Sequence, residues 1–271
     1  MEMDMQLDEL VQAVTAKSSY AAICPDLIYR IGTQELEKRT SFKEAVKSTC
    51  RKLHQVGGAF IARAPNMHEW QVELNELPVD LHSPEVKNFC TNKMSAHAST
   101  QERLPILEEF YMQSLVEIAP IRSILDLGCG LNPLTLPWMP IDNNISYFGV
   151  DIFSDLTAFD SQFLDHFNIK GKVICADILN PISFTPVQLA LVLKMLPLIE
   201  QIKKNSTLKW LENIPAEYLL ISYPKKSLGG KGKGMPVNYT RQFEQVVKAK
   251  SWAFKRFEFS SEIAFLVKKQ V

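Results

Sequence analysis

Residues 122–151 constrain this chain more than any other stretch. Ile124, Leu125 and Leu127 read as a short buried strand, and Gly128-Cys129-Gly130 is the turn that leaves it. A second apolar run, Tyr147–Val150, ends on Asp151. A strand, a glycine turn and an acid at the tip of the next strand begin an α/β ligand site. Glycine lets the backbone approach a ligand closely, and the acid suits a ribose diol.

Several cofactors carry a ribose, and the details of the turn separate them. A dinucleotide site needs phosphate contacts, usually from Gly-x-Gly-x-x-Gly opening a helix. Here the third glycine position is Pro133, which has no N–H to give and cannot supply the tight helix–strand packing. Asp126, just before the turn, would repel a pyrophosphate but suits a cationic ligand. S-adenosylmethionine (SAM) has a ribose, no phosphate, a sulfonium and an ammonium group, and it fits this stretch best. The plainer alternative is a generic α/β strand turn, for which Gly-x-Gly alone is weak evidence.

Residues 1 to about 120 read as all-helical. One helix covers 4–16. Pro25-Asp26-Leu27 opens a second, which runs to Lys38. Ser41 is placed to cap a third, with Glu44 completing a capping box. On that third helix Phe42, Val46, Cys50 and Leu53 make an apolar stripe, and Arg39, Lys43, Lys47 and Arg51 make a basic row at four-residue spacing. Like charges at that spacing mildly destabilise a helix, so the row is expected to gain something elsewhere. Contact with RNA phosphates is the favoured gain, and a solvated face is the alternative. One or two short helices are expected between Pro65 and Pro84, and a single helix from about Ser99 to Val116.

From residue 121 the pattern alternates as in a doubly wound sheet. Strands are expected at 122–127, 145–150, 171–176, 187–193, 216–222, 252–259 and 262–268. Helices fall at 154–167, at 195–213 with a break near Asn205-Ser206, and at 238–249. A glycine- and lysine-rich loop spans 223–237. The last two strands must be antiparallel, since no crossover fits between them. The predicted fold is α/β, a Rossmann-like class I SAM-dependent methyltransferase with a seven-stranded sheet and an antiparallel terminal hairpin. An α-helical N-terminal domain precedes it. Residues 1–98 are the expected helical N-terminal domain, whose docking on RNA is implied by the family resemblance given below, and 99–271 the methyltransferase domain.

Composition narrows the partners. Hydrophobic residues make up 46% of the 271, enough for a sizeable core. No apolar run reaches the roughly 18 residues of a membrane span, and the acidic start Met-Glu-Met-Asp-Met is not a signal peptide. The five cysteines form no Cys-x-x-Cys pair and the five histidines no ligand spacing, so no metal and no disulfide frame are expected in a cytoplasmic protein. Net charge is zero but uneven. Residues 225–271 carry eleven Lys/Arg against three Asp/Glu, and residues 38–63 carry seven against Glu44 alone. Two basic segments on a neutral protein suggest a polyanion-facing surface.

Individual residues take roles on this frame. Asp151 is placed for the ribose hydroxyls. Asp177 ends the third strand, where it would accept from the adenine amino group, with Ile178 packing on the base; a strand-end cap is the alternative for Asp177. Arg103 suits a bidentate clamp on the methionine carboxylate, or else a surface salt bridge with Glu102 or Glu108. The fourth strand ends Leu193-Lys194-Met195-Leu196-Pro197, without the Asn/Asp-Pro-Pro-aromatic of amine methylation or a Pro-Cys nucleophile. What remains is a target with its own lone pair, such as a ring nitrogen, for which positioning carries most of the rate. Lys194 would then position substrate rather than titrate, or would snorkel from a strand end. In the loop, Lys226, Lys231 and Lys233 among glycines suit a nucleic-acid backbone, or a merely flexible surface loop.

Four motifs in order carry a family resemblance: His97-Ala98-Ser99-Thr100-Gln101-Glu102-Arg103, Asp126-Leu127-Gly128-Cys129-Gly130-Leu131-Asn132-Pro133-Leu134, Leu193-Lys194-Met195-Leu196-Pro197, and the run from Pro224 to Met235 followed by Asn238-Tyr239 and Phe243-Glu244. The chain resembles the aminoglycoside-resistance 16S ribosomal RNA methyltransferases of the Arm/Rmt group from about residue 40 onward. The resemblance implies methylation of guanine N7 in the decoding site of the assembled 30S subunit, and SAM contacts from Phe60, His97, Ala98, Ser99, Arg103, Gly128, Asp151, Asp177, Ile178 and Leu193. Gln201, seven residues past Lys194 on the expected helix, is a further candidate. Residues 61–95 do not match the family pattern. A monomer is expected. The other readings are an adenine-N1 or small-molecule methyltransferase, or a non-catalytic RNA-binding protein.

Overall fold

The structure, a computed structural model, describes residues 2–58, 66–203, 205–225, 243–244, 247 and 250–269. Three helices come first: α1 (Glu2–Thr15), α2 (Pro25–Lys38) and α3 (Phe42–Leu53). Pro25 sits in the first turn of α2, where its missing N–H costs nothing. Leu27, Ile28 and Ile31 of α2 pack among Leu10 and Val14 of α1 and Ala45, Cys50 and Leu53 of α3. The buried face of α3 is Ala45, Ser48, Thr49, Cys50 and Leu53. This corrects the expected stripe: small side chains at 45, 48 and 49 let α2 approach, and the helix rolls until Phe42 is 38% exposed. Ser41 stands at the N-cap but makes no side-chain cap bond, so the capping box does not form.

Next come α4 (Met67–Asn75) and α5 (Pro84–Met94). The Ser83 hydroxyl caps α5 by accepting from the Val86 N–H at 3.3 Å. The single helix expected over 99–116 is three pieces: α6 (Ala98–Arg103), a 3-10 turn (Leu104–Ile106) and α7 (Leu107–Leu115). Pro105 lacks the N–H that a continuous helix needs there.

The sheet has seven strands: β1 (Ile121–Leu127), β2 (Ile141–Asp151), β3 (Lys170–Cys175), β4 (Val187–Leu193), β5 (Ala216–Pro224), β6 (Ala253–Glu258) and β7 (Glu262–Lys268). Their order is β3-β2-β1-β4-β5-β7-β6. The first five run parallel, and β7 lies antiparallel between β5 and β6. A 3-10 segment, Asn132–Trp138, connects β1 to β2, as Pro133 and Pro137 dictate. Helix α8 (Ser154–His166) follows β2, and α9 (Leu196–Ile202) and α10 (Thr207–Asn213) follow β4 with the expected break between them. β5 runs two residues past the expected end at 222. Residues 226–242, with Lys226, Lys231 and Lys233, lie outside the described residues, as do Phe60 and most of the expected helix 238–249.

Adjacent strand residues point to opposite faces, and both faces are buried, as parallel sheets require. Ile124, Tyr147 and Leu189 join a core shared with the N-terminal helices, α7 and α8. Leu125, Val192 and Leu219 join a second core with Leu196, Leu211 and Trp252. The N-terminal segment is also stitched to the end of β2: the Cys24 N–H donates to the Ile152 carbonyl at 2.7 Å, and the Ser154 N–H to the Ala22 carbonyl at 2.8 Å. The five cysteines are free. Among the described residues no helix is long and apolar enough to cross a membrane, and no cluster suits a metal ion.

Candidate active site

The parallel strands end on one edge of the sheet, and a cleft of about 910 Å³, counted to its open mouth, lies over their tips. In open α/β sheets this edge is where ligands bind. Gly128 and Gly130 make the floor, at φ of 77° and 50°, a backbone that side chains other than hydrogen resist. A Cβ on Gly128 would stand 2.3 Å from Met195 Sδ, and one on Gly130 would stand 2.8 Å from the His97 ring. Both glycines are favoured by conformation, and a side chain at either position would also have to displace its neighbour.

Three carboxylates at successive strand tips line the cleft: Asp126, Asp151 and Asp177. Asp151 is held by backbone. Its Oδ2 accepts from the Gly130 N–H at 2.8 Å, and its Oδ1 from the N–H groups of Ile152 at 2.7 Å and Phe153 at 3.3 Å. Burial pushes its pKa up against the pull of these three donors. Asp126 Oδ2 accepts from Tyr147 Oη and Asn132 Nδ2, each at 2.5 Å, and burial raises its pKa to about 6. Asp177 Oδ1 accepts from the Leu179 N–H at 2.9 Å, and Oδ2 takes Arg30 Nε.

Arg103 is wholly buried and does not make the surface bridge to Glu102 or Glu108. Its Nε and Nη2 donate to Glu262 at 2.6 and 3.1 Å, and Nη1 to Asn132 Oδ1 at 3.3 Å. Tyr111 Oη donates to the same Asn132 oxygen at 2.7 Å. A continuous buried network thus runs Glu262–Arg103–Asn132–Asp126–Tyr147. Burial would raise the Glu262 pKa, but Arg103 and Lys194 hold it below the usual range. Lys194, at the left-handed φ of 61°, turns inward rather than snorkelling: its Nζ donates to Glu102 at 2.8 Å and to the Ser99 carbonyl at 3.2 Å. Burial lowers its pKa. His97 is the residue before α6, and burial with the neighbouring Lys194 and Arg103 pulls its pKa down to about 4.

The cleft brings together His97, Ser99, Arg103, Gly128, Asp151, Asp177, Ile178, Leu193 and Lys194 from the expected set. Two expected members stand elsewhere. Ala98 does not line it. Gln201 faces a neighbouring small cleft and donates to Gln55 Oε1 at 3.4 Å, because α9 starts only at Leu196 and Lys194 is not on it. Lining residues not expected include Leu27 and Val56 on the N-terminal side and Met195; Glu262 and Arg30 do not line the cleft but bond to Arg103 and Asp177, which do.

The basic row is also revised. Lys43, Lys47 and Arg51 lie exposed on α3, whereas Arg39 follows the end of α2 and donates to Glu35 at 3.4 Å. Lys43, Lys47 and Arg51 have no ion-pair partner among the described residues.

The residue set fits SAM. The two glycines provide a cradle that a Cβ would fill, the acids at the strand tips match a ribose and a cationic ligand, and His97 adds no charge at neutral pH.

Comparison with known proteins extends this. A family model described as ribosomal RNA methyltransferase (FmrO) matches residues 16–267. The chain is 30% identical to a 16S rRNA (guanine(1405)-N(7))-methyltransferase of Micromonospora echinospora, covering 97% of each, and 31% identical to one of Serratia marcescens, covering 98% of this chain and 99% of that one. Among solved structures, the 16S rRNA methyltransferase RmtF in complex with S-adenosyl-L-homocysteine superposes with a TM-score of 0.82 at 26% identity, over 98% of both chains. The 16S rRNA methylase RmtB gives 0.80 at 26% identity, over 97% of this chain and 98% of that one.

Proposed function

The chain belongs to the FmrO family of ribosomal RNA methyltransferases, and from that premise we propose that it moves the methyl group of SAM to N7 of guanine 1405 in 16S rRNA, the position its relatives carry in their names. The observation that carries this reading is the similarity to those relatives over nearly the whole of both chains. SAM, when bound, supplies an electrophilic methyl group on a sulfonium. Asp151 binds the ribose hydroxyls, Asp177 accepts from the adenine amino group, and Ile178 and Leu193 pack on the base. Gly128 admits the methionine portion, with His97, Ser99 and Arg103 at its far end. The sequence match adds Phe60 and Ala98, and Gln201, on the adjoining small cleft, remains a further candidate.

Guanine N7 carries a lone pair and no proton, so the residues are not asked for a general base. That suits a site whose His97 is held neutral and whose Lys194 is committed to Glu102. The rate then comes from alignment. Residues 1–98 are the docking unit in this reading, with Lys43, Lys47 and Arg51 against rRNA phosphates and Lys226, Lys231 and Lys233 assisting from the loop. The substrate is the assembled 30S subunit, the enzyme acts as a cytoplasmic monomer, and the new positive charge on the guanine repels aminoglycosides.

Calorimetry tests the cofactor site first. SAM should bind the protein alone, and Asp151→Ala should weaken binding by about 1.5–3 kcal/mol, the range for lost hydrogen bonds to a charged group. Unchanged affinity would remove Asp151 from the site. Transfer of labelled methyl to 30S subunits, and poorly to naked 16S rRNA, tests the substrate.

A further inference from the structure

The adenine end of the cleft is not built by the sheet domain alone. Asp177 and the turn after it, through Asn180, are tied to α2. Arg30 Nε donates to Asp177 Oδ2 and Arg30 Nη2 to Asn180 Oδ1, across 147 and 150 residues of chain. Asn180 Nδ2 reaches back to Asp26 Oδ2, also on α2, at 3.3 Å. On the other side Trp210 Nε1 holds the Ile178 carbonyl at 3.0 Å. Leu27, one turn before Arg30, lines the cleft itself.

We propose that Arg30 is a positioning residue for cofactor recognition: it fixes the Asp177 carboxylate so that the site selects a 6-amino purine over a 6-oxo purine. The inference deepens the proposed function and rests on its SAM site. The Asp177 side chain is 3% exposed and lines the cleft, and the half-buried Arg30 side chain, 23% exposed, bonds to it. A guanidinium is planar and directional, and it orients a carboxylate where a lysine would only attract it. With Oδ2 bonded to Arg30 and Oδ1 to the Leu179 N–H, the carboxylate plane cannot rotate. Its remaining lone pairs then accept from an exocyclic amine in one direction only. A 6-oxo group there would set acceptor against acceptor and leave both unpaired, a situation buried sites reject strongly. Without Arg30 the carboxylate turns about its side-chain bond and the selection weakens.

The test uses the full chain, calorimetry and two probes, S-adenosylhomocysteine and S-inosylhomocysteine, which differ at that exocyclic group and in the N1 proton that the 6-oxo form carries. Wild type should prefer the adenosyl compound by about tenfold or more. Arg30→Met should weaken adenosyl binding by about tenfold and bring the two probes to near-equal affinity, with Arg30→Lys between. Asp177→Asn should act alike, and adding it to Arg30→Met should bring little further loss, since the two act as one unit. Equal weakening of both probes with a lowered Tm would make Arg30 only a structural tie and overturn the proposal, as would an unchanged preference in Arg30→Met. Failure of wild type to bind either probe would instead overturn the cofactor reading on which the proposal rests.

Discussion

Two charged regions of this molecule behave in opposite ways. At the cleft, Arg103, Glu262, Lys194 and Asp126 are buried, and each is bonded to a named partner. On α3, Lys43, Lys47 and Arg51 are exposed, without an ion-pair partner among the described residues. A buried charge persists only when paired and hydrogen-bonded, so it shapes a site by being committed. An exposed unpaired cation contributes little to folding and remains available to an external anion. The first region should therefore be costly to alter and indifferent to salt, and the second cheap to alter and sensitive to salt.

The largest expected effect lies in the buried network. Arg103→Met leaves Glu262 without its bidentate partner and should lower stability by about 3–5 kcal/mol in urea denaturation. Pairing it with Glu262→Leu should recover most of that loss. A single-variant cost within about 1 kcal/mol of zero would mean that the network behaves like a surface bridge and the contrast fails.

A smaller effect comes from His97. Its folded pKa of about 4 lies below the ordinary histidine value of 6.5, so the unfolded chain takes the proton first. Its contribution is complete above pH 6.5 and is lost as pH falls towards 4, where a proton would add a third cation beside Lys194 and Arg103. The stability difference between pH 7 and pH 4.5 should shrink by about 2 kcal/mol in His97→Gln. An identical pH profile in the variant would show that the ring is solvated.

The smallest effect on folding is expected on α3. Replacing Lys43, Lys47 and Arg51 with glutamine should change stability by less than about 0.5 kcal/mol per site, leave SAM affinity level, and lower the log–log salt slope of 30S binding by about 2 to 3. An unchanged salt slope would make the row a solvated face.

The sequence disclosed what depends on neighbours in the chain. β4 is an unbroken apolar run between turn signals, and its expected bounds, 187–193, match the structure. The glycine turn, the acid that ends β2 and the acid two residues past β3 are likewise local. Helix α5 has a local signal too, Ser83-Pro84 at its N-terminus. What stayed hidden depends on distant pairing. The Arg103–Glu262 pair spans 159 residues, and nothing around Glu262 distinguishes it from any strand-edge acid. Arg30 carries no local signal for the same reason, its partners lying 147 and 150 residues away. Arg39 falls outside the row because four-residue spacing carries no signal of the break between α2 and α3.

The central claim is the methylated atom, and mapping it on 30S subunits is the most direct measurement. After incubation with SAM and enzyme, borohydride and aniline cut RNA at 7-methylguanosine, and primer extension locates the break. The account predicts one new break, at guanine 1405, absent without SAM and absent without the chemical treatment. A primer-extension stop at a nearby adenine without that treatment would contradict the assignment to guanine N7.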